Sequence, residues 1–283
     1  MPLIDIKELE TISPVFRGKA GNALAEALIR ILKVKEANEL YDRHPETFGP
    51  DFAADILEDI GVSPELYFED NKVKSLDEII PVGPFITISN HPCGHIDGIA
   101  LIDLFGHIRP EYKVMVNEML ARIHNLNGSF IKVTPTGNTK SAATASSLGG
   151  VREALQHLKN GNPIGFFPSG AVSDFTLKTM KTEDRQWQEP LIRLIRKARV
   201  PIIPVRFYDG NSPFYYSLGL IDWRVRLLRL PSEVFNKKDK PFRIGIGKPI
   251  PVSRQDEFGN DLRAFSNFLR ASVYDMFATF ADS

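Results

Sequence analysis

Residues 84–106 read PFITISNHPCGHIDGIALIDLFG, and this stretch decides the fold. PFITIS (84–89) is rich in β-branched and aromatic residues, as a strand requires. Pro92 and Gly94 then force a turn, and GIALIDLFG is an apolar helical run. A strand, a short polar loop and a helix form the building unit of an α/β sheet. Working outward, further β-rich runs recur: KVMV (113–116), SFIKV (129–133), PIGFF (163–167), PIIPVRF (201–207) and FRIGIG (242–247). Helical segments such as REALQHLKN and PLIRLIRKA lie between most of them. The expected fold class is α/β, with a mixed, largely parallel sheet flanked by helices. Pro201 and Pro204 predict that their strand lies at an edge or carries a bulge, because proline has no N–H to donate to a ladder.

Upstream, residues 22–41 place Leu24, Leu28, Ile31 and Leu32 on one face and Arg30, Lys33 and Lys35 around the other, which predicts an amphipathic helix. A second helix is expected from Asp51 to Ile60, between proline-containing segments. Residues 1–75 are therefore read as a helical N-terminal region and 76–283 as the α/β domain. At the other end Leu262, Phe265, Leu269, Val273, Met276 and Phe280 recur at three- and four-residue spacing, the pattern of a long helix laid on the sheet.

The balance of 35 basic against 35 acidic residues gives no global field that would draw the chain to nucleic acid. One cysteine excludes an intrachain disulfide and suits a reducing compartment. The start MPLIDIKELE shows no basic segment followed by an apolar one, so no signal peptide is expected, and no apolar run has the length of a membrane span.

The loop SNHPCGHIDG (89–98) concentrates the chemistry. A metal site on His91, His95 and Asp97 lacks a second cluster at ligand spacing elsewhere. Cys93 with His91 or His95 as base would make a thiol nucleophile. A serine hydrolase would need G-x-S-x-G, and FFPSGAV lacks the first glycine. Asp97 alone reads as a helix cap. What remains is His91 as general base, folded back so that Asp97 fixes its tautomer and stabilises its charged form, with the substrate's own hydroxyl or amine as nucleophile. That chemistry is acyl transfer.

On these residues the chain resembles the glycerolipid and lysophospholipid acyltransferase superfamily, and most of all its hemolysin-like bacterial branch. Asn90, His91, Pro92, Gly94, Asp97 and Gly98 match the branch signature N-H-P-x-G-x-x-D-G. Five residues separate the His from the Asp, as in that branch, where the wider superfamily has four. SFIKV resembles the second motif, with Lys132 as its basic residue. GFFPSGAVSD (165–174) resembles the third, F-P-x-G, and VPIIPVRF (200–207) the fourth. DGNSPFYYSLG and LLRLPSEVFNKKDKPFRIGIGKPI are also similar to that branch, so the likeness covers about residues 75–255. Ser169 and Ala171 stand where many members carry a glutamate.

The resemblance implies an acyltransferase with His91 and Asp97 catalytic, acting on a thioester of acyl carrier protein or coenzyme A and needing no metal or organic cofactor. Asn90, Gly94, Lys132, Pro168, Ser169, Gly170 and Arg206 are the expected substrate-binding residues. Lys132 and Arg206 would flank the cleft as cations, and the Pro168–Gly170 turn would present N–H groups to an anionic head group. The expected partner is a lipid surface, at the inner membrane from the cytoplasmic side. LIDWRVRLLRLP (220–231), with Trp223, Leu227, Leu228, Leu230, Arg224, Arg226 and Arg229, and NKKDK (236–240) supply a basic and aromatic strip that suits an anionic bilayer or, equally, an acidic acyl carrier protein.

Overall fold

The computed structural model describes residues 17–31, 33–117, 123–133, 145–221 and 223–277. Among the described residues three helices lead in: α1 (Gly18–Ile31), α2 (Val34–Tyr41) and α3 (Gly49–Asp59). The segment read as one helix over 22–41 is two, because Lys33 between them adopts a left-handed backbone with φ 50°. Leu32 and the side chains of Leu24, Leu28 and Ile31 lie outside the described residues.

Strand β1 (Pro64–Phe68) follows, and then β2 (Ile86–Ser89), α4 (His95–Gly106), β3 (Lys113–Asn117), β4 (Phe130–Val133), α5 (Ala145–Lys159) and β5 (Ile164–Phe166). A hairpin of β6 (Asp174–Thr176) and β7 (Lys181–Glu183) precedes α6 (Glu189–Ala198) and β8 (Ile202–Phe207). The chain continues through α7 (Pro213–Ile221), α8 (Trp223–Phe235), β9 (Phe242–Ile246), the short α9 (Val252–Asp256) and α10 (Leu262–Tyr274).

Seven strands form one sheet in the order β1-β9-β8-β2-β5-β3-β4. Every neighbouring pair is parallel except β8 with β9. The sheet is thus mixed and largely parallel, and helices cover both faces. On one face α3 and α4 pack Phe52, Ile56, Ile99 and Phe105 against Phe85, Val114, Ile203 and Val205. On the other, α6 and α10 bring Ile192, Ile195, Phe265, Leu269 and Val273 to Ile86, Ile88, Ile164 and Phe166. Phe280, at the end of the predicted C-terminal pattern, lies outside the described residues.

One strand expectation needs correction and another resolves to one of its two alternatives. Residues 64–68, inside the stretch read as helical, form β1, which pairs with β9 some 180 residues later in the chain. The run PELYF is short and half-exposed, with no alternation to announce it. The proline-bearing strand β8 is not an edge but lies between β9 and β2. Its register against the antiparallel side shifts by one residue between the Ile202–Ile250 bridge and the Val205–Ile246 pair. Pro204 sits at that shift and contributes only its carbonyl, to Gly247 N–H at 2.8 Å. The bulge expected from the prolines is present, and the partner strand carries the additional residue.

Candidate active site

The loop after β2 emerges at the C-terminal ends of β2, β5 and β8, where open α/β sheets place their sites. Asn90 fixes it first. The side-chain amide donates to Phe207 O and its carbonyl accepts from Phe207 N–H, both at 2.8 Å, clamping the loop to the end of β8. Asn90, expected to bind substrate, is buried, and the bonds shown for its side chain hold the loop in place.

Gly94 makes the turn, with φ 77°, a backbone region open to glycine. A Cβ there would stand 2.7 Å from Leu230 Cδ2, so the glycine serves packing as well. Helix α4 begins at His95, and Asp97 in its first turn reaches back to the cap. Its Oδ2 accepts from Cys93 N–H at 2.9 Å, Gly94 N–H at 3.0 Å and His91 Nδ1 at 3.0 Å. One oxygen therefore anchors the helix start and the imidazole together, so the capping and catalytic readings of Asp97 describe one arrangement. Asp97 is fully buried, at the end of a helix whose dipole favours an anion.

With Nδ1–H directed at Asp97, Nε2 of His91 holds the lone pair. Of residues 90–97 only His91 is not fully buried, its side chain 12% exposed. The ring stacks on Phe167 at 4.0 Å between centroids. The backbone of His91 is held at both ends: its N–H donates to Asp184 Oδ1 at 3.2 Å and its carbonyl accepts from Ser173 N–H at 2.9 Å.

Asp184 is a residue that sequence reasoning missed. It is buried and also accepts from Ser173 Oγ at 2.6 Å and Trp187 Nε1 at 3.2 Å, while its own N–H donates to Tyr274 Oη. Burial raises its pKa above the usual carboxylate range, against the pull of the donors around it. Nothing in TEDRQW (182–187) advertises this, since all its partners but Trp187 come from distant positions such as 91, 173 and 274.

The competing nucleophiles are occupied. Cys93 is buried, donates to Asp209 O at 3.0 Å, and burial pushes its thiol well above the ordinary range, away from the thiolate. Ser169 Oγ donates to Ala171 O at 2.7 Å. His95 is buried, which, with His91 nearby, lowers its pKa to about 4 and keeps it neutral. That makes it a poor base beside His91.

The remaining expected residues divide. Pro168, Ser169 and Gly170 follow β5 and reach the loop through Ser173. But Gly170 N–H is spent on Phe167 O at 2.9 Å, and Pro168 O and Ser169 O accept from Gln188, so this turn does not offer the N–H of Gly170 to an anion. Gly170, at φ 66°, is required because a Cβ would collide with Gln188. Arg206 is also corrected. It is buried on the α10 side of the sheet, donating to Met276 O at 2.7 Å and to Tyr274 O, and stacking on Tyr208. It closes the C-terminal end of α10 and does not line the loop. Lys132 is exposed on the edge strand β4, three strand spacings from β2, roughly 14 Å along the sheet. No described contact brings it to His91.

The basic strip at 220–231 also reads differently. Arg226 is buried at 3% exposure, donates to Ser173 O and Val172 O, and pairs with Asp174. Arg229 pairs with Glu233, and the buried Lys237 bonds Gly210 O. These cations are engaged within the protein, Arg226 on the 172–174 segment that leads into β6. The side chains of Trp223, Arg224, Leu227 and Leu228 lie outside the described residues.

A histidine–carboxylate pair with an accessible Nε2, and with Cys93 and Ser169 both engaged elsewhere, suits acyl transfer to an external acceptor. Comparison with known proteins agrees. Residues 63–281 match the model of the acyltransferase family, and the chain belongs to that family. It is 26% identical to the lyso-glycine lipid O-acyltransferase of Bacteroides thetaiotaomicron, over 90% of this chain and 91% of that one. It is 24% identical to the enzyme of the same name from Phocaeicola vulgatus, over 97% and 95%. The crystal structure of the 1-acyl-sn-glycerophosphate acyltransferase PlsC from Thermotoga maritima aligns at 14% identity with a TM-score of 0.46, covering 91% and 96%.

Proposed function

We propose that the protein moves a fatty acyl group from a thioester, carried by acyl carrier protein or coenzyme A, to the hydroxyl of a lysolipid-type acceptor in membrane lipid synthesis. The observation that carries this reading is His91, paired through Nδ1 to the buried Asp97 and presenting Nε2 from a loop whose every other residue is buried. The acceptor hydroxyl gives its proton to Nε2 as its oxygen attacks the thioester carbonyl. The carbon–sulfur bond then breaks, and the leaving thiolate takes the proton back from the imidazolium. Asp97 stabilises the charged ring in between.

Among acceptors, an acylated amino acid such as a lyso-glycine lipid is favoured over a lysophosphatidate. Both curated relatives carry that activity in their names. The site fits this choice: Arg206 is turned away to α10, Lys132 stands at the far sheet edge, and neither gives the loop a phosphate-sized pair of cations. No helix among the described residues is long and apolar enough to cross a membrane.

The test is purified protein with liposomes, long-chain acyl carrier protein or acyl-CoA, and a panel of lyso-amino-acid lipids and lysophospholipids, read by mass spectrometry. One acceptor gaining an acyl mass with wild type and not with His91→Ala is the expected result. Free fatty acid as the sole product would replace transfer by hydrolysis. Cys93→Ser should keep turnover within about twofold, because a buried, protonated thiol takes no part in the step.

A further inference from the structure

We propose that the tip of the β6–β7 hairpin, with the exposed face of α7, is the surface by which this protein docks on an anionic lipid bilayer. The proposal rests on the lysolipid reading above and assigns that reading a place of contact. Among the described residues six large apolar side chains stand exposed, and four of them, Leu177, Met180, Phe214 and Leu220, belong to two elements that touch. Leu177 and Met180, 64% and 70% exposed, occupy the turn LKTM between β6 and β7. Phe214 and Leu220 lie on α7, which packs on β6 where Phe175 rests against Val172, Tyr215, Tyr216 and Leu230. Scattered apolar residues on a surface are ordinary, whereas neighbouring ones mark an interaction site.

The backbone of the tip points the same way. Thr176 O accepts from both Thr179 and Met180 N–H, closing a tight turn that puts Met180 at φ 54°. That region favours glycine or asparagine, and an L side chain there is strained. A thioether held in water at such a position gains nothing from the described structure, but it gains by entering an acyl layer.

Charge selects the kind of surface. Lys178 and Lys181 are exposed at the tip, and neither is in an ion pair with a described residue. The acids around them are neutralised: Asp174 by Arg185 and Arg226, Glu183 by Arg270, Glu233 by Arg229. Helix α7 carries no charged residue. An apolar tip ringed by unneutralised lysines suits anionic head groups with acyl chains beneath them. Lysines alone would suit an acidic carrier protein equally well, and the protruding Leu177 and Met180 decide for lipid.

The hairpin is also wired to the site. Ser173, one residue before β6, donates to His91 O, and Asp184, one residue after β7, accepts from His91 N–H. Seating the tip in a bilayer therefore holds the His91 loop beside the surface where an acyl-chain acceptor resides.

The experiment is sedimentation of the full chain with phosphatidylglycerol-containing vesicles and with phosphatidylcholine vesicles. Wild type is compared with Leu177→Ser/Met180→Ser and with Lys178→Glu/Lys181→Glu. Each double variant should lower binding to anionic vesicles by roughly tenfold, with an unchanged circular dichroism spectrum. Leu177→Trp should be quenched by brominated acyl chains. Binding by the serine variant equal to wild type would overturn the proposal. So would unchanged vesicle binding with turnover lost only for a carrier-protein donor, which would assign the tip to the donor. Vesicle binding that depends on the tip, in a protein that acylates no acceptor offered, would sustain the docking surface while removing the reaction reading.

Discussion

The loop 90–97 and the hairpin tip 177–180 are joined through Ser173 and Asp184 but are built on opposite terms. In the loop Asn90, Cys93, Asp97 and both ends of the His91 backbone are bonded, and His91 alone reaches solvent. At the tip, apolar side chains stand in water and a strained backbone has no buried contact to offset it. The difference separates two requirements. A general base acts only if its imidazole is held in one orientation, which demands preorganisation. A surface contact needs exposed apolar area and charge, and tolerates movement.

Substitutions test this contrast, beginning with the largest effect. His91→Ala should lower kcat by about 10²–10⁴-fold, roughly 3–5 kcal/mol of barrier, and leave vesicle binding intact. Equal losses in both assays would mean that loop and tip are not separate devices. Asn90→Ala should cost about 2–5 kcal/mol of stability in urea unfolding, since it orphans the Phe207 N–H and carbonyl in a buried strand end. No exposed residue of the tip should approach that figure.

His95 gives a pH test of how dry the loop is. Its folded pKa, about 4, lies below the unfolded value near 6.5. Between those values the unfolded chain binds more protons, so stability is fully present above about pH 6.5 and is lost as pH falls toward 4. The contribution is at most about 3 kcal/mol. His95→Gln should flatten the stability profile over that window relative to wild type, and an unchanged slope would mean water reaches the ring.

The smallest effects should have opposite signs in the two regions, at two residues that share a positive φ. Gly94→Ala puts a Cβ against Leu230 and should cost about 1–3 kcal/mol by thermal unfolding. Met180→Gly relieves strain at an exposed turn and should gain up to about 1 kcal/mol, while weakening vesicle binding. A destabilised Met180→Gly would mean that Met180 packs in the folded protein.

Much of the site was readable because its information is local. His91 and Asp97 lie six residues apart, and the Pro92 and Gly94 turn between them is enough to bring imidazole to carboxylate. The strands of the sheet interior were readable for a similar reason, since burial on both faces favours short runs rich in β-branched residues such as ITIS and IIPV. The half-exposed β1 and the short β6 and β7 carry no such pattern.

The assignments that failed depend on which way a side chain leaves its element. Arg206 ends a strand near the site, but pleat alternation sends its guanidinium to the α10 face, where it meets Met276, 70 residues on. Arg226 reads in the sequence as part of a strip facing a lipid surface and is instead buried against the carbonyls of Val172 and Ser173. Asp184 acquires its role only when positions 91, 173 and 274 converge on it. By itself the sequence determined the α/β alternation, the family and the His91–Asp97 pair, because period, turn residues and short spacings act over a few residues. The tertiary structure alone decided which cations turn away from the loop and which buried acid holds the His91 backbone, because those outcomes turn on facing and burial set by contacts far apart in the chain.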